Sequence, residues 1–265
     1  MNEKNFEFLK DQVKYTGFGD NPENQLKANL SKGQTEFRLD HSAAYGKDEL
    51  SASLHFKKSA QSDMYFFNSY TASLKKPNAT DSITQTFYIN KEGGNITLKE
   101  AFNLLDGRSV NKDLINKEGQ IYNAWQQLDF KETAANGNYK IKQFSQQYGF
   151  DLEKALARHP IIELKSEQDK TRLLESLQRG NRQSVTFSEN GVEQKRFVEA
   201  NPQFKSVAVY DEMQHRIRQG QGEKKSGGET QSEKQDSKKQ TAKAGMDDES
   251  QAPSQKSGKR KGMSV

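Results

Sequence analysis

Apolar residues at the start of the chain recur at helical spacing: Phe6, Leu9 and Val13 share one face and predict a short helix that ends near Gly17. A second helix is punctuated at both ends, with Asn21 as its cap, Pro22 at the first helical position, Leu26 and Leu30 on the inner face and Gly33 as the left-handed stop. From Glu36 the period changes to two. Leu50, Ala52, Leu54 and Phe56 alternate with polar residues, as do Met64, Phe66, Tyr70, Ala72 and Leu74 around Asn68, followed by Ile83, Phe87 and Ile89. Polar turns at 57–62 and 75–81 make these antiparallel strands.

Thr97-Leu98-Lys99-Glu100 is a capping box, and Leu98, Ala101, Phe102 and Leu105 form the buried stripe of a helix closed by Gly107. Strands are expected at 109–112, at 120–130 after a turn at 116–119, and at 139–144 after the hairpin turn Asn136-Gly137-Asn138. After a helix at 151–158, halted by Pro160, the design recurs. A helix starting at Ser166 to Asp169 buries Leu173, Leu174 and Leu177 and closes at Gly180. Gln183-Ser184-Val185 then echoes Arg108-Ser109-Val110, Asn190-Gly191 turns the chain, and a last strand covers 204–210. Trp125 and Phe197 each fall six positions after the turn glycine. The pattern reads as a divergent repeat of helix, strand, turn, strand, strand, with a degraded copy at 26–74.

The expectation is an α+β protein of small antiparallel sheets and short helices, with an N-terminal module at 1–92, repeat units at 93–150 and 151–218, and a tail at 219–265. The tail holds Lys, Gln, Ser, Gly, Glu and Asp but no aromatic residue, so it is expected to be disordered.

Charge sharpens this division. Residues 1–215 carry 29 basic and 29 acidic side chains, whereas 216–265 carry 12 and 7, so the net +5 lies in the tail, which ends on the cationic cluster Lys259, Arg260 and Lys261. A neutral body argues against a basic groove running across the whole fold and leaves room for a local patch. The absence of cysteine excludes disulfides, thiolate metal sites and a cysteine nucleophile. The first residues do not form a signal peptide, and no run approaches the ~18 apolar residues of a membrane span, so a cytoplasmic address without membrane contact is expected.

Catalytic chemistry has little foothold. His41, His55, His159 and His215 stand apart from any metal-ligand spacing, with His55 expected in water opposite Leu54 and Phe56. Gly17-Phe18-Gly19-Asp20 follows a helix and lacks the spacing of a phosphate loop, and no nucleophile elbow is present. Asp106, Asp113 and Asp129 read as cap, turn and strand-edge residues. No cofactor and no small-molecule substrate is implied, and the chain is expected not to be an enzyme, an active site assembled only in three dimensions being the outside alternative. Contact with a protein or nucleic-acid partner is the remaining chemistry. Tyr65 and Phe67 are expected to face away from the core set of Met64, Phe66 and Tyr70, and Tyr88 away from Phe87 and Ile89, which would offer rings to unpaired bases unless helices cover them. Arg108, Lys112, Arg182, Lys195 and Arg196 are the cations available beside them, and Trp125 is a packing residue first and an interaction anchor second.

The segment from Asn5-Phe6-Glu7-Phe8-Leu9 to Gly17-Phe18-Gly19 resembles the start of a group of uncharacterised proteins of Bacteroides-type bacteria. So do Tyr122-Asn123-Ala124-Trp125, Asn181-Arg182-Gln183-Ser184-Val185-Thr186-Phe187 and Glu199-Ala200-Asn201-Pro202-Gln203-Phe204. The likeness covers roughly residues 1–218. The repeat resembles a domain of unknown function found in those bacteria, often in conjugative transposons or beside DNA-processing genes such as a topoisomerase. The resemblance implies a mobile-element setting and carries no catalytic or binding residues. The expected role is therefore a non-enzymatic accessory or interaction protein, with nucleic-acid binding through the sheet aromatics and the basic tail as the alternative.

Overall fold

The computed structural model describes residues 2–217, and the tail with Lys259, Arg260 and Lys261 lies outside them. Helix α1 (Glu3–Val13) starts where the Asn2 side chain accepts from the Asn5 backbone amide at 3.1 Å. It runs into a π-helical turn at Lys14–Phe18, and α2 (Glu23–Lys32) follows. Pro22, not Asn21, occupies the N-cap position of α2, while Gly33 closes it at φ +67° as expected. Leu9, Phe18, Leu26 and Leu30 from these helices are buried on a four-stranded antiparallel sheet of order β1 (Glu36–Tyr45), β2 (Asp48–Lys58), β3 (Tyr65–Lys75) and β4 (Ile83–Tyr88).

The sheet inverts the expected assignment of faces at the start of β3. Tyr65 and Phe67 are only 3% exposed, whereas Met64 is 40% exposed. The cause is a register shift: Phe67 faces Phe56 across the pair and Ser69 faces His55, so Asn68 is an extra residue on β3. Such a bulge breaks the two-residue period. The inward set is therefore Tyr65 and Phe67 before it and Tyr70, Ala72 and Leu74 after it, where an unbroken alternation had put Met64 and Phe66 in the core. Tyr65 is further held by Asn5, whose amide accepts from Tyr65 N at 2.7 Å and donates to Tyr65 O at 3.0 Å, and by its own hydroxyl donating to Gln34 O. His55 is likewise not free in water but half-buried, 3.2 Å from the Thr71 hydroxyl.

Two further meanders follow, each led by a helix. Helix α3 (Leu98–Leu105) precedes the three-stranded sheet β5 (Val110–Ile115), β6 (Ile121–Thr133) and β7 (Tyr139–Ser145). The short α4 (Leu152–Leu156) and then α5 (Glu167–Gln178) precede β8 (Gln183–Glu189), β9 (Val192–Asn201), β10 (Ser206–Tyr210) and β11 (Arg216–Ile217). Pro202–Phe204 form a 3-10 turn and Lys205 takes φ +50°, so the last long strand opens at Ser206 and not at Phe204. The same order of elements thus recurs after α2, α3 and α5.

Burial does not respect the unit boundaries drawn from the sequence. Leu98, Leu104, Leu105, Val110 and Leu128 join the core of the N-terminal sheet, while Trp125 and Phe144 join a second core with Leu156, Leu177 and Val198. Because β6 alternates, Leu128 and Trp125 leave it on opposite faces, and the middle meander contributes to both cores. A reciprocal amide clamp ties β4 to β7. Asn138 accepts from Thr86 N at 2.9 Å and donates to Thr86 O at 3.2 Å, while Gln85 accepts from Tyr139 N at 2.8 Å and donates to Tyr139 O at 3.3 Å. Two side-chain amides thereby satisfy backbone groups on the edge of each sheet.

Burial also sets an acid response. His41 lies edge-on to Phe18, His159 packs against Phe187, and burial lowers the pKa of both, and of His55, below the ordinary 6.5. The unfolded chain then binds more protons than the folded one from about pH 6.5 down to the folded values, so stability rises with pH through that window and is lost on acidification. The melting temperature is expected to be lower at pH 5 than at pH 7.5, and the difference to shrink in His41→Gln and His159→Gln. A melting temperature flat across this range would contradict the assignment.

Candidate functional site

The capping box that starts α3 uses all of its polar atoms. Thr97 N donates to the Glu100 carboxylate at 2.8 Å, and Lys112 Nζ reaches both oxygens of that carboxylate at 3.1 and 3.2 Å. Glu100 is 4% exposed, so Lys112, expected as a surface contact, is instead the counter-ion of a buried carboxylate.

At the other end of α3 the chain turns through Gly107 in the left-handed conformation (φ +84°), which aims Arg108 back along the helix. Asp106 accepts from Lys76 and, at 3.0 Å, from Arg108. Arg108 also donates to Gly180 O at 3.4 Å and lies 5.0 Å from the centroid of Phe102. It is only 9% exposed, and its Nε has no hydrogen-bond partner among the described residues. The sequence placed it on a surface; the approach of Gly180 buries it.

These groups line a pocket of about 490 Å³ built from five separate stretches of chain, one of them contributing Lys76. The β1–β2 turn supplies Tyr45 and Asp48, α3 with its flanks supplies Lys99, Phe102, Asp106 and Arg108, and Arg182 and Gln214 close the far side. Tyr45 and Phe102 stack at 4.3 Å with an interplanar angle of 27°. The Lys99 ammonium sits 4.2 Å from the first ring centroid and 4.5 Å from the second. Lys99 makes no ion pair among the described residues, and burial together with the charge of Arg108 lowers its pKa.

Arg182 is better satisfied. Its Nε and Nη2 each lie 3.1 Å from Glu199, Nη1 donates to Gln214 at 3.2 Å, and the guanidinium stands 3.9 Å over the ring of Tyr210. Burial, together with the hydrogen bond to Glu199, pushes the Tyr210 hydroxyl up to about 12.

The structure thus brings Arg108 and Arg182 together and leaves the other candidate contact residues apart. Tyr65, Phe67 and Trp125 are core residues, Lys195 and Arg196 lie on β9 outside the pocket, and Tyr88 is 67% exposed on β4, as expected. Lys76, Lys99, Tyr45 and Gln214 escape a reading of the sequence. A lysine two turns ahead of Asp106, on the helix carrying Phe102, is the one local signal for them.

Among the described residues no helix is long and apolar enough to cross a membrane, and no group of three or more His, Asp or Glu side chains is placed to hold a metal ion. Comparison with protein-family models, curated proteins and solved structures yields no match.

Proposed function

We propose that the chain is a non-enzymatic accessory protein, working in the mobile-element setting its sequence resemblance implies, which recognises an anionic group of its partner at the pocket between Lys99, Arg108 and Arg182. The observation that carries this reading is Lys99, a part-buried ammonium in ion-pair contact with no carboxylate among the described residues, set beside a second cation. Desolvation and like charge both oppose its ionisation, and an incoming anion reverses both effects. Asp106 is already shared by Lys76 and Arg108, and Glu199 is held by Arg182 and Tyr210, so neither is a free general base.

The second reading, a nucleic-acid-binding protein, loses the stacking platform of Tyr65 and Phe67 to burial. It keeps the exposed ring of Tyr88 and the converging cations.

Fluorescence anisotropy of the full chain against labelled single-stranded DNA, single-stranded RNA and polyglutamate tests the pocket. The expected result is binding of at least one probe that weakens with salt and falls about tenfold in Lys99→Gln, roughly the worth of one cation in a desolvated site. A companion variant with Lys259, Arg260 and Lys261 changed to Gln separates pocket from tail. Binding abolished by the tail changes and untouched by Lys99→Gln would reject the proposal.

A further inference from the structure

A second concavity, of about 520 Å³, lies between β4, the 89–96 connection and one face of the middle sheet. Strand register puts Leu114 opposite Tyr122, Gln126 opposite Gln143 and Leu128 opposite Ile141, so Leu114, Tyr122, Gln126, Ile141 and Gln143 share that face. Its chemistry differs from that of the basic pocket. Asp113 is the sole charged lining residue, and Asn123 donates to it at 2.8 Å.

The polar groups here are amides, and most are engaged. Gln85 and Asn138 form the clamp between the sheets, and the Tyr122 hydroxyl donates to Gln143 Oε1 at 3.1 Å, which leaves the Gln143 NH₂ as a donor. Gln126 is the exception. It is 7% exposed, it lines the groove, and its amide has no hydrogen-bond partner among the described residues. Its polar atoms are not sealed from solvent, so a ligand entering the groove must offer both a donor and an acceptor in exchange for the water it displaces there.

We propose that this groove binds an unpaired nucleobase. A carboxamide presents a donor and an acceptor side by side in one plane, the pattern that pairs two-pronged with the edge of a base. Phe87, Leu114 and Ile141 give apolar walls for its flat faces, and Tyr88, standing exposed on β4, is available to stack. A sugar fits less well, because its ring carries hydroxyls on every side and two open amides cannot answer them all. A lining without any Lys or Arg selects a base, not a phosphate. The inference is independent of the anionic pocket, because a nucleoside carries no phosphate, so either site can fail alone.

Both a free nucleoside and a single strand can offer such a base, and one experiment separates them. Uniformly ¹⁵N-labelled full chain is titrated with adenosine, guanosine, cytidine and uridine, with a single-stranded tetranucleotide, and with methyl glucoside. At least one nucleoside is expected to shift the Gln126 side-chain amide saturably, and the affinity to drop at least tenfold in Gln126→Met, which keeps the side-chain volume. Tyr88→Ala, at an exposed position that leaves the core intact, is expected to weaken binding as well. Tighter binding of the tetranucleotide identifies a strand as the source, and equal binding a free nucleoside; both uphold the site. A Gln126 amide that no nucleoside moves at millimolar concentration, or that methyl glucoside moves equally, overturns the proposal.

Discussion

Gly180→Ala is expected to destabilise the protein by about 2–5 kcal/mol, the sum of a left-handed backbone penalty of roughly 1–2 and an overpacking penalty of roughly 1–3 kcal/mol. Gly180 stands at φ +79°, just past the end of α5, and a Cβ there would meet Ser109 O at 2.8 Å, Val110 Cγ2 at 2.9 Å and Asn103 Cβ at 3.1 Å. One of these is a backbone atom that cannot rotate away. The approach is close because Asn103, fully buried on α3, donates to Arg179 O at 2.6 Å and to Asn181 Oδ1 at 3.0 Å, while Arg108 reaches Gly180 O. The end of α5 is thus drawn onto the end of α3, and a methyl group between them must break those bonds or displace β5.

Gly191→Ala is the matching control. It has nearly the same φ, +75°, with nothing within 4 Å of the added carbon, so only the backbone penalty of roughly 1–2 kcal/mol applies. Urea unfolding of the two variants, followed by far-ultraviolet circular dichroism, measures the difference directly. Equal losses would mean that α3 and α5 do not dock as closely as their hydrogen bonds imply.

Gly180 shows which parts of the architecture can be read from the residues. Its identity as a helix stop is local, and so are the capping box at Thr97 and Glu100, the Gly107 and Gly33 stops and the Asn136-Gly137-Asn138 turn; each satisfies its own backbone groups within a few residues. The α+β class and the recurring order of helix and meander follow from such signals. Its second duty, as the point where α5 meets β5, depends on Asn103, Ser109 and Val110, far back along the chain, and leaves no local trace. The bulge at Asn68 is a similar case. Nothing in the alternation of Met64, Tyr65, Phe66 and Phe67 distinguishes the two faces, and the register with β2 decides between them.

The basic pocket is legible in the sequence only in fragments. Arg108 and Arg182 stand out as cations beside apolar runs, but their meeting requires the turn at 45–48, the end of α3 and the start of β8 to converge. Lys99 looks like an ordinary solvated residue on the first turn of a helix until the rings of Tyr45 and Phe102 are placed beneath it. A chain balanced in charge over residues 1–215 can still concentrate cations locally, because Glu100, Asp129 and Glu199 are each paired with a single cation, Lys112, Lys142 and Arg182.

Trp125→Ala is expected to cost about 3–5 kcal/mol, the range for truncating a large buried aromatic. Trp125 is 6% exposed on the central strand of the middle sheet, paired with Asn111 on one side and Phe144 on the other, and its ring meets Phe150 edge-on at a centroid distance of 5.3 Å. It belongs to the core of the third meander and not to that of the N-terminal sheet. The loss should therefore be uneven. Hydrogen exchange is expected to speed up first at residues 144–209, whose core loses its largest side chain, while amides of β2 and β3 keep their protection until global unfolding. Trp125→Phe, which retains a ring against Phe150, should recover most of the stability. If Trp125→Ala instead left the unfolding midpoint unchanged and weakened only partner binding, the residue would be an anchor at an interface; its burial between Phe144 and Phe150 argues that folding comes first.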